Sequence, residues 1–193
     1  SDDILNFTFM AFGADGAVFP ALTYSFYPVF ANLHGVAYET VPLREDFTLD
    51  VAGMQGKGKL TVFPNPNAPT GIALPLDQVE AIVAANPDHV VVVDEAYVDF
   101  GADSAVPLLQ KYENLLVVMT YSKSRSMAGA RLGFALGSRT LIQDLEKLKY
   151  STNPYNVNRL TLKLGQAAVD SDGYFREKAR EIMATREKTA QAL

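Results

Sequence analysis

Cysteine and tryptophan are absent from the 193 residues, and histidine occurs only twice, at His34 and His89. Without cysteine there is no disulfide, no thiolate nucleophile and no thiolate metal ligand. Two histidines are too few for a histidine metal cage, so no metal site is expected, and a Ser-His-Asp triad is hard to assemble. No apolar stretch approaches the ~18 residues of a membrane helix. No basic segment followed by an apolar one marks a signal peptide. The turns G-x-G-x-x-G after a first strand and G-x-x-x-x-G-K-[ST] are also missing, which argues against a nucleotide-binding module. Lys plus Arg is 17 against 22 Asp plus Glu, a net charge of −5. That balance disfavours electrostatic binding of nucleic acid. The expectation is a cytoplasmic protein that binds neither nucleic acid nor membrane.

What the sequence does have is material for a core: 48% hydrophobic and 10% aromatic residues, with 20% charged. That excludes a disordered chain and supports one large domain. The periods alternate along it. Asp2 or Asp3 can cap a helix carrying Ile4, Leu5, Thr8, Phe9 and Phe12, stopped at Gly13. Ala17-Val18-Phe19 reads as a short apolar segment, and Phe26, Val29, Phe30 and Leu33 share one face of a helix ended by Gly35. Val36 to Val41, Lys59 to Phe63, Val90 to Val93, Leu115 to Met119 and Leu132 to Leu136 read as strands. Asp77 and Glu80 have the spacing of a capping box for a helix through Val79, Ile82 and Val83. Helices follow at Thr140 to Tyr150, Val157 to Val169 and Gly173 onward. Unbroken β-branched strands predict burial on both faces, so the fold class is α/β, a mostly parallel central sheet flanked by helices. Ser1-Asp2-Asp3 runs straight into apolar residues, and Arg176 to Leu193 stops inside a charged helical pattern, so a longer parent chain is expected.

In open parallel sheets, ligands bind beyond the carboxyl ends of the strands. Three strands deliver polar residues there: Asn65 and Asn67, then Asp94 and Tyr97, then Thr120, Ser122 and Lys123. If the strands are neighbours, a carboxylate, a phenol, amides, hydroxyls and an amine share one crevice. That inventory suits a planar, phosphorylated, electron-withdrawing cofactor bound covalently to an amine.

These segments, with Ser1-Asp2-Asp3, Thr23 to Tyr27, Asn65 to Gly71, Asp94 to Phe100, Ser122 to Gly133 and Pro154 to Asn158, resemble in order and kind the fold-type-I aminotransferases that use pyridoxal phosphate (PLP). More narrowly they resemble the histidinol-phosphate aminotransferase family. The resemblance implies residues 1–170 as the PLP-binding large domain and 171–193 as a helix leading toward a smaller C-terminal domain. It implies Lys123 as the amine that forms the Schiff base and shuttles a proton. Asp94 would face the pyridine nitrogen and Tyr97 the ring's phenolate oxygen. Arg131, eight residues after Lys123, would hold the phosphate with Thr120, Ser122 and the amides at Ser1 and Asp2. Tyr24 would stack on the ring. The family's Asn before Pro-Thr-Gly is Ala68 here; either Asn67 takes over its contact, the preferred reading, or the contact is lost. Arg125 is a candidate for substrate phosphate or a solvated or interface arginine. The activity implied is transfer of an amino group between histidinol phosphate and 2-oxoglutarate (glutamate in reverse) by a homodimer, in histidine biosynthesis. The alternatives are an aromatic aminotransferase, a threonine-phosphate decarboxylase, or an isolated cofactor domain without activity.

Overall fold

The computed structural model describes residues 1–193. Six strands form one sheet: β1 (Ala17–Pro20), β2 (Tyr38–Val41), β3 (Leu60–Pro64), β4 (Val91–Asp94), β5 (Leu115–Thr120) and β6 (Gly133–Gly137), in the order β2-β1-β3-β4-β5-β6. All neighbours run parallel except β6, which returns antiparallel to β5. The α/β reading of the sequence matches this sheet. Six α-helices accompany it: α1 (Asp2–Phe12), α2 (Phe26–Leu33), α3 (Leu76–Ala84), α4 (Arg139–Thr152), α5 (Arg159–Asp170) and α6 (Asp172–Ala192).

The apolar strands explain the layering. Side chains alternate along a strand, so a run such as Val91-Val-Val93 must find apolar partners on both faces. Val62, Val92, Leu116 and Val118 pack on one face beneath Leu5, Phe9, Tyr27 and Leu141, from α1, α2 and α4. Phe63, Val91, Val93, Leu115 and Val117 face the other way, against Val79, Ile82 and Val83 of α3. Helices α5 and α6 lie outside both layers and bury little beyond Thr161, Gly165, Ala168 and Ala179.

Three local expectations are corrected. Helix α1 is capped at Ser1 without a side-chain bond, and Asp2 and Asp3 occupy its first turn, where a carboxylate meets the positive end of the helix. Helix α3 starts after an N-cap Pro75 with no side-chain cap; Glu80 instead accepts from Lys111 Nζ (2.5 Å) and Tyr112 Oη (2.8 Å). Helix α2 is turned relative to its apolar stripe. Its inner face is Tyr27, Phe30 and Ala31, while Phe26, Val29 and Leu33 are 46%, 48% and 68% exposed. The rotation carries the Tyr27 hydroxyl to a buried acceptor that phenylalanine could not use. The two histidines sit at element ends: His34 caps α2 and contacts Asn6 at 2.8 Å, and His89 lies 3.4 Å from Asp15.

Candidate active site

Strand pairing settles whether the three polar strand ends meet. Pro64 is in register with Asp94, Asp94 with Val118, and Thr120 with Gly133. The segments leaving β3, β4 and β5 therefore converge on one edge of the sheet. They enclose a crevice of about 180 Å³ whose walls include Ser1, Asp2, Tyr24, Asp94, Tyr97, Thr120, Ser122, Lys123 and Arg131. Nine of the ten residues named from sequence come together here; Asn67 does not.

Asp94 is the buried member, 4% exposed at the end of the valine strand. Its Oδ2 accepts from Tyr27 Oη at 2.8 Å and its Oδ1 from the Ala96 amide at 3.2 Å. Burial pushes the carboxyl above its ordinary range, and these two donors only partly offset that. Tyr27 is itself fully enclosed between Phe9 and Phe19, and burial followed by the Asp94 charge raises its hydroxyl well above the usual phenol range. The sequence pattern missed Tyr27 because it sits one position off the stripe. The available signal was a phenol inside an otherwise apolar helix, which requires a partner when buried.

Lys123 stands at the solvent side of the same crevice, exposed, with Nζ 5.1 Å from the centroid of the Tyr97 ring. Thr120 Oγ1 accepts from the Ser122 amide at 3.1 Å, which turns the chain out of β5 and aims the lysine loop across the strand ends. Arg131 closes the far side. It adopts a left-handed backbone (φ 54°) and donates to Asp2 Oδ2 at 2.9 Å and to the Ala128 carbonyl at 3.2 Å. Asp2 also accepts from Tyr24 Oη at 3.1 Å, so residues 129 positions apart in sequence are tied together at the crevice. Burial first, then Asp2, pushes the Tyr24 hydroxyl up to about 12. The start of α1 is pressed against β6: a Cβ on Gly133 would lie 2.3 Å from Ser1 N and 2.9 Å from the Met119 carbonyl.

The loop after β3 is built differently from its sequence reading. Asn67 is 5% exposed, and its side chain is taken up internally. Its Nδ2 donates to the Leu22 carbonyl (3.1 Å) and Thr70 Oγ1 (3.2 Å), and its Oδ1 accepts from Thr23 Oγ1 (3.2 Å). Asn65 closes the same loop through Leu74. Ala68, not an amide, lines the crevice. Arg125 also lies outside it, on the opposite side of the lysine loop.

The donor set accommodates PLP. A buried carboxylate, an amine and two tyrosine phenols meet an arginine, three hydroxyls and a helix N-terminus at one crevice, and the Gly133 contact leaves the α1 amides close to it. No helix is long and apolar enough to cross a membrane.

Comparison with known proteins points the same way. The family model for aminotransferase class I and II matches residues 1–193. The chain is 52% identical over 198 aligned positions to histidinol-phosphate aminotransferase 1 of Bordetella parapertussis, covering 100% of this chain and 56% of that protein. It is 50% identical over 190 positions to histidinol-phosphate aminotransferase 2 of Dechloromonas aromatica, covering 96% and 53%. The chain thus spans about half the length of the curated relatives it matches. Its fold superposes with a TM-score of 0.87 on the histidinol-phosphate aminotransferase of Sinorhizobium meliloti in complex with pyridoxal-5'-phosphate, at 24% identity over 97% of this chain and 53% of that one.

Proposed function

The chain belongs to the aminotransferase class I and II family, and from that premise we propose that the full-length protein is a cytoplasmic, homodimeric, PLP-dependent histidinol-phosphate aminotransferase. It would move an amino group from glutamate to imidazole acetol phosphate, giving histidinol phosphate and 2-oxoglutarate. In this reading residues 1–170 form the cofactor domain and residues 171–193 lead toward a smaller domain. The exposed apolar stripe Phe26, Val29 and Leu33 supports pairing with a second subunit. Relatives at about half identity over the whole chain support the substrate.

The observation that carries the chemistry is the pairing of a buried Asp94 with an accessible Lys123 across one crevice. Bound PLP supplies an electron-withdrawing ring that stabilises negative charge at the substrate α-carbon. The chain's own residues do the rest. Asp94, kept in place by Tyr27 and the Ala96 amide, presents a carboxylate toward the ring nitrogen and holds a proton there. Lys123 Nζ would hold the cofactor and would accept and return the proton that leaves the substrate α-carbon. Tyr97, in the crevice wall, would donate to the ring oxygen. Arg131, with N–H groups beyond the two it uses, joins Thr120, Ser122 and the α1 amides on the phosphate. Tyr24, in the same wall, would cover the ring face. Asn67 holds the Leu22–Thr70 loop against this wall through three side-chain bonds and does not itself line the crevice.

The test is the full-length protein with PLP. It should be yellow, lose that colour on borohydride treatment with the label fixed at Lys123, and turn over histidinol phosphate faster than phenylalanine. Lys123→Ala should lose turnover entirely. Normal transamination by that variant, or a label at another lysine, overturns the assignment. Carbon dioxide release from threonine phosphate at a higher rate overturns the substrate.

A further inference from the structure

Lys123 projects from the loop Tyr121–Ala130, most of which is exposed or partly exposed. A reacting amine on a long side chain has to be held to within a fraction of an ångström, roughly 0.5 Å, by its support. The loop's own bonds, Ser126 N to the Lys123 carbonyl and Met127 N to the Tyr121 carbonyl (both 3.0 Å), fix its shape but do not anchor it to the rest of the molecule.

At its far end the Ala130 carbonyl accepts from Thr161 Oγ1 of α5 (3.2 Å), and next to the lysine the anchors come from the two residues that follow it. Ser124 Oγ donates to Asp99 Oδ2, in the 3-10 turn Val98–Phe100. Arg125 turns away from the crevice and places Nη2 2.6 Å from Asp172 Oδ1, in the first turn of α6. Its guanidinium also lies 5.5 Å from the ring centroid of Phe175 on the same helix. The other Asp172 oxygen is held by Arg176. Helix α6 is in turn fixed to the 3-10 turn through Arg186 Nη1 and the Phe100 carbonyl (3.3 Å). Lysine loop, 3-10 turn and α6 therefore close a triangle. Arg125 Nη1 is enclosed without an acceptor, so the guanidinium depends on Asp172 for its compensation in a partly desolvated place.

We infer that Arg125 is a positioning residue for Lys123: clamped by Asp172 and Phe175, it makes the orientation of the reacting amine depend on where α6 lies. The inference rests on the proposal that Lys123 is the reacting amine. It accounts for an arginine two residues from that lysine which does not line its crevice. It also couples whatever follows α6 to the amine, because any shift of the helix start moves Asp172.

The experiment uses the full-length protein and four variants: Arg125→Ala, Asp172→Asn, their double, and Asp172→Glu. In cofactor-free protein, amide exchange at Ser126 and Met127 should rise about tenfold in either single variant, the scale set by losing one charge-assisted contact. The double should rise no further than the larger single, and the amides of β5 should stay unchanged. With cofactor, kcat should fall about tenfold with KM within about twofold, because orientation and not binding is lost. Asp172→Glu, which keeps the charge, should recover at least half of the lost kcat. Unchanged exchange in both single variants, additive effects in the double, or a fall confined to KM overturns the clamp. Asp172→Asn preserves side-chain volume and supplies the reading if Arg125→Ala does not fold. Loss of turnover in Lys123→Ala with no change in loop exchange on breaking the clamp refutes this inference alone. Retained turnover in Lys123→Ala refutes the functional reading and leaves the exchange result standing.

Discussion

Replacing Asp94 by asparagine should make the cofactor-free protein more stable at neutral pH, although it removes a central residue of the site. The carboxyl is buried at the floor of the crevice, and burial raises its proton affinity above that of the unfolded chain. Below the unfolded carboxyl range both states are protonated and the group is neutral in its effect. As pH rises through that range toward the folded value, the unfolded chain ionises first and stability is lost. A buried ion costs several kcal/mol after relaxation, on the order of 3–5. The donors from Tyr27 (2.8 Å) and Ala96 (3.2 Å) return about 1 kcal/mol net each, roughly 2 together. The raised proton affinity says that they fall short. Asparagine removes the charge but offers one acceptor oxygen for two donors, a mismatch of about 1 kcal/mol. The expected balance is a gain of about 1 kcal/mol at pH 7, or roughly 1–2 °C in Tm for a full-length protein about twice as long as this chain. Calorimetry of the cofactor-free full-length proteins between pH 4.5 and 8 should show the gain growing with pH. PLP at a hundredfold over its Kd, adding about 2.7 kcal/mol to the wild type, should reverse the order. An asparagine variant that melts below the wild type at neutral pH, or a difference flat across pH, refutes the reasoning.

Tyr27→Phe should act through the same carboxylate. It should destabilise the wild-type background by about 1.5–3 kcal/mol at neutral pH and the Asp94→Asn background by far less, as a double-mutant cycle in urea would show. Gly133→Ala forces a Cβ against Ser1 and the Met119 carbonyl. Overpacking of about 1–3 kcal/mol at that point should weaken PLP binding about tenfold or more in a fluorescence titration. Glu95→Ala strips the acceptor from the Ala105 amide (2.5 Å) and Ser104 Oγ (2.7 Å). Equilibrium denaturation should register a loss of about 2–3 kcal/mol.

The sheet and the strand-end residues were legible because they follow from local signals. A continuous valine run ending in Asp94, and an apolar strand ending at Thr120, each announce a buried strand and its polar exit. What escaped depends on partners remote in sequence. Phe26, Val29, Phe30 and Leu33 have a helical period, yet a stripe cannot reveal that Asp94, 67 positions beyond Tyr27, rewards turning the helix inward at the phenol. The Asp77/Glu80 spacing suits a cap, but Lys111 and Tyr112 compete for Glu80 once β5 is approached. Asn67 has the chemistry to bond a ring oxygen; three loop partners satisfy it first. Arg125 looks like a ligand residue in sequence because Asp172 is 47 positions away.

Asp94 and Glu95 show how one fold separates structure from chemistry with the same functional group. Both are acids, both are buried, and burial raises the proton affinity of both. Successive residues at a strand end point to opposite sides. Glu95 therefore reaches the loop at Ser104 and Ala105, where close donors consume both of its oxygens and hold the chain leaving β4. Asp94 reaches the crevice, where Tyr27 and the Ala96 amide occupy the carboxylate without closing it off from the wall shared with Lys123. Exchanging the two roles would require moving every residue of β4 to the other face, burying its valines against the wrong helices. The alternation that fills both apolar layers is thus the same constraint that decides which acid faces the crevice.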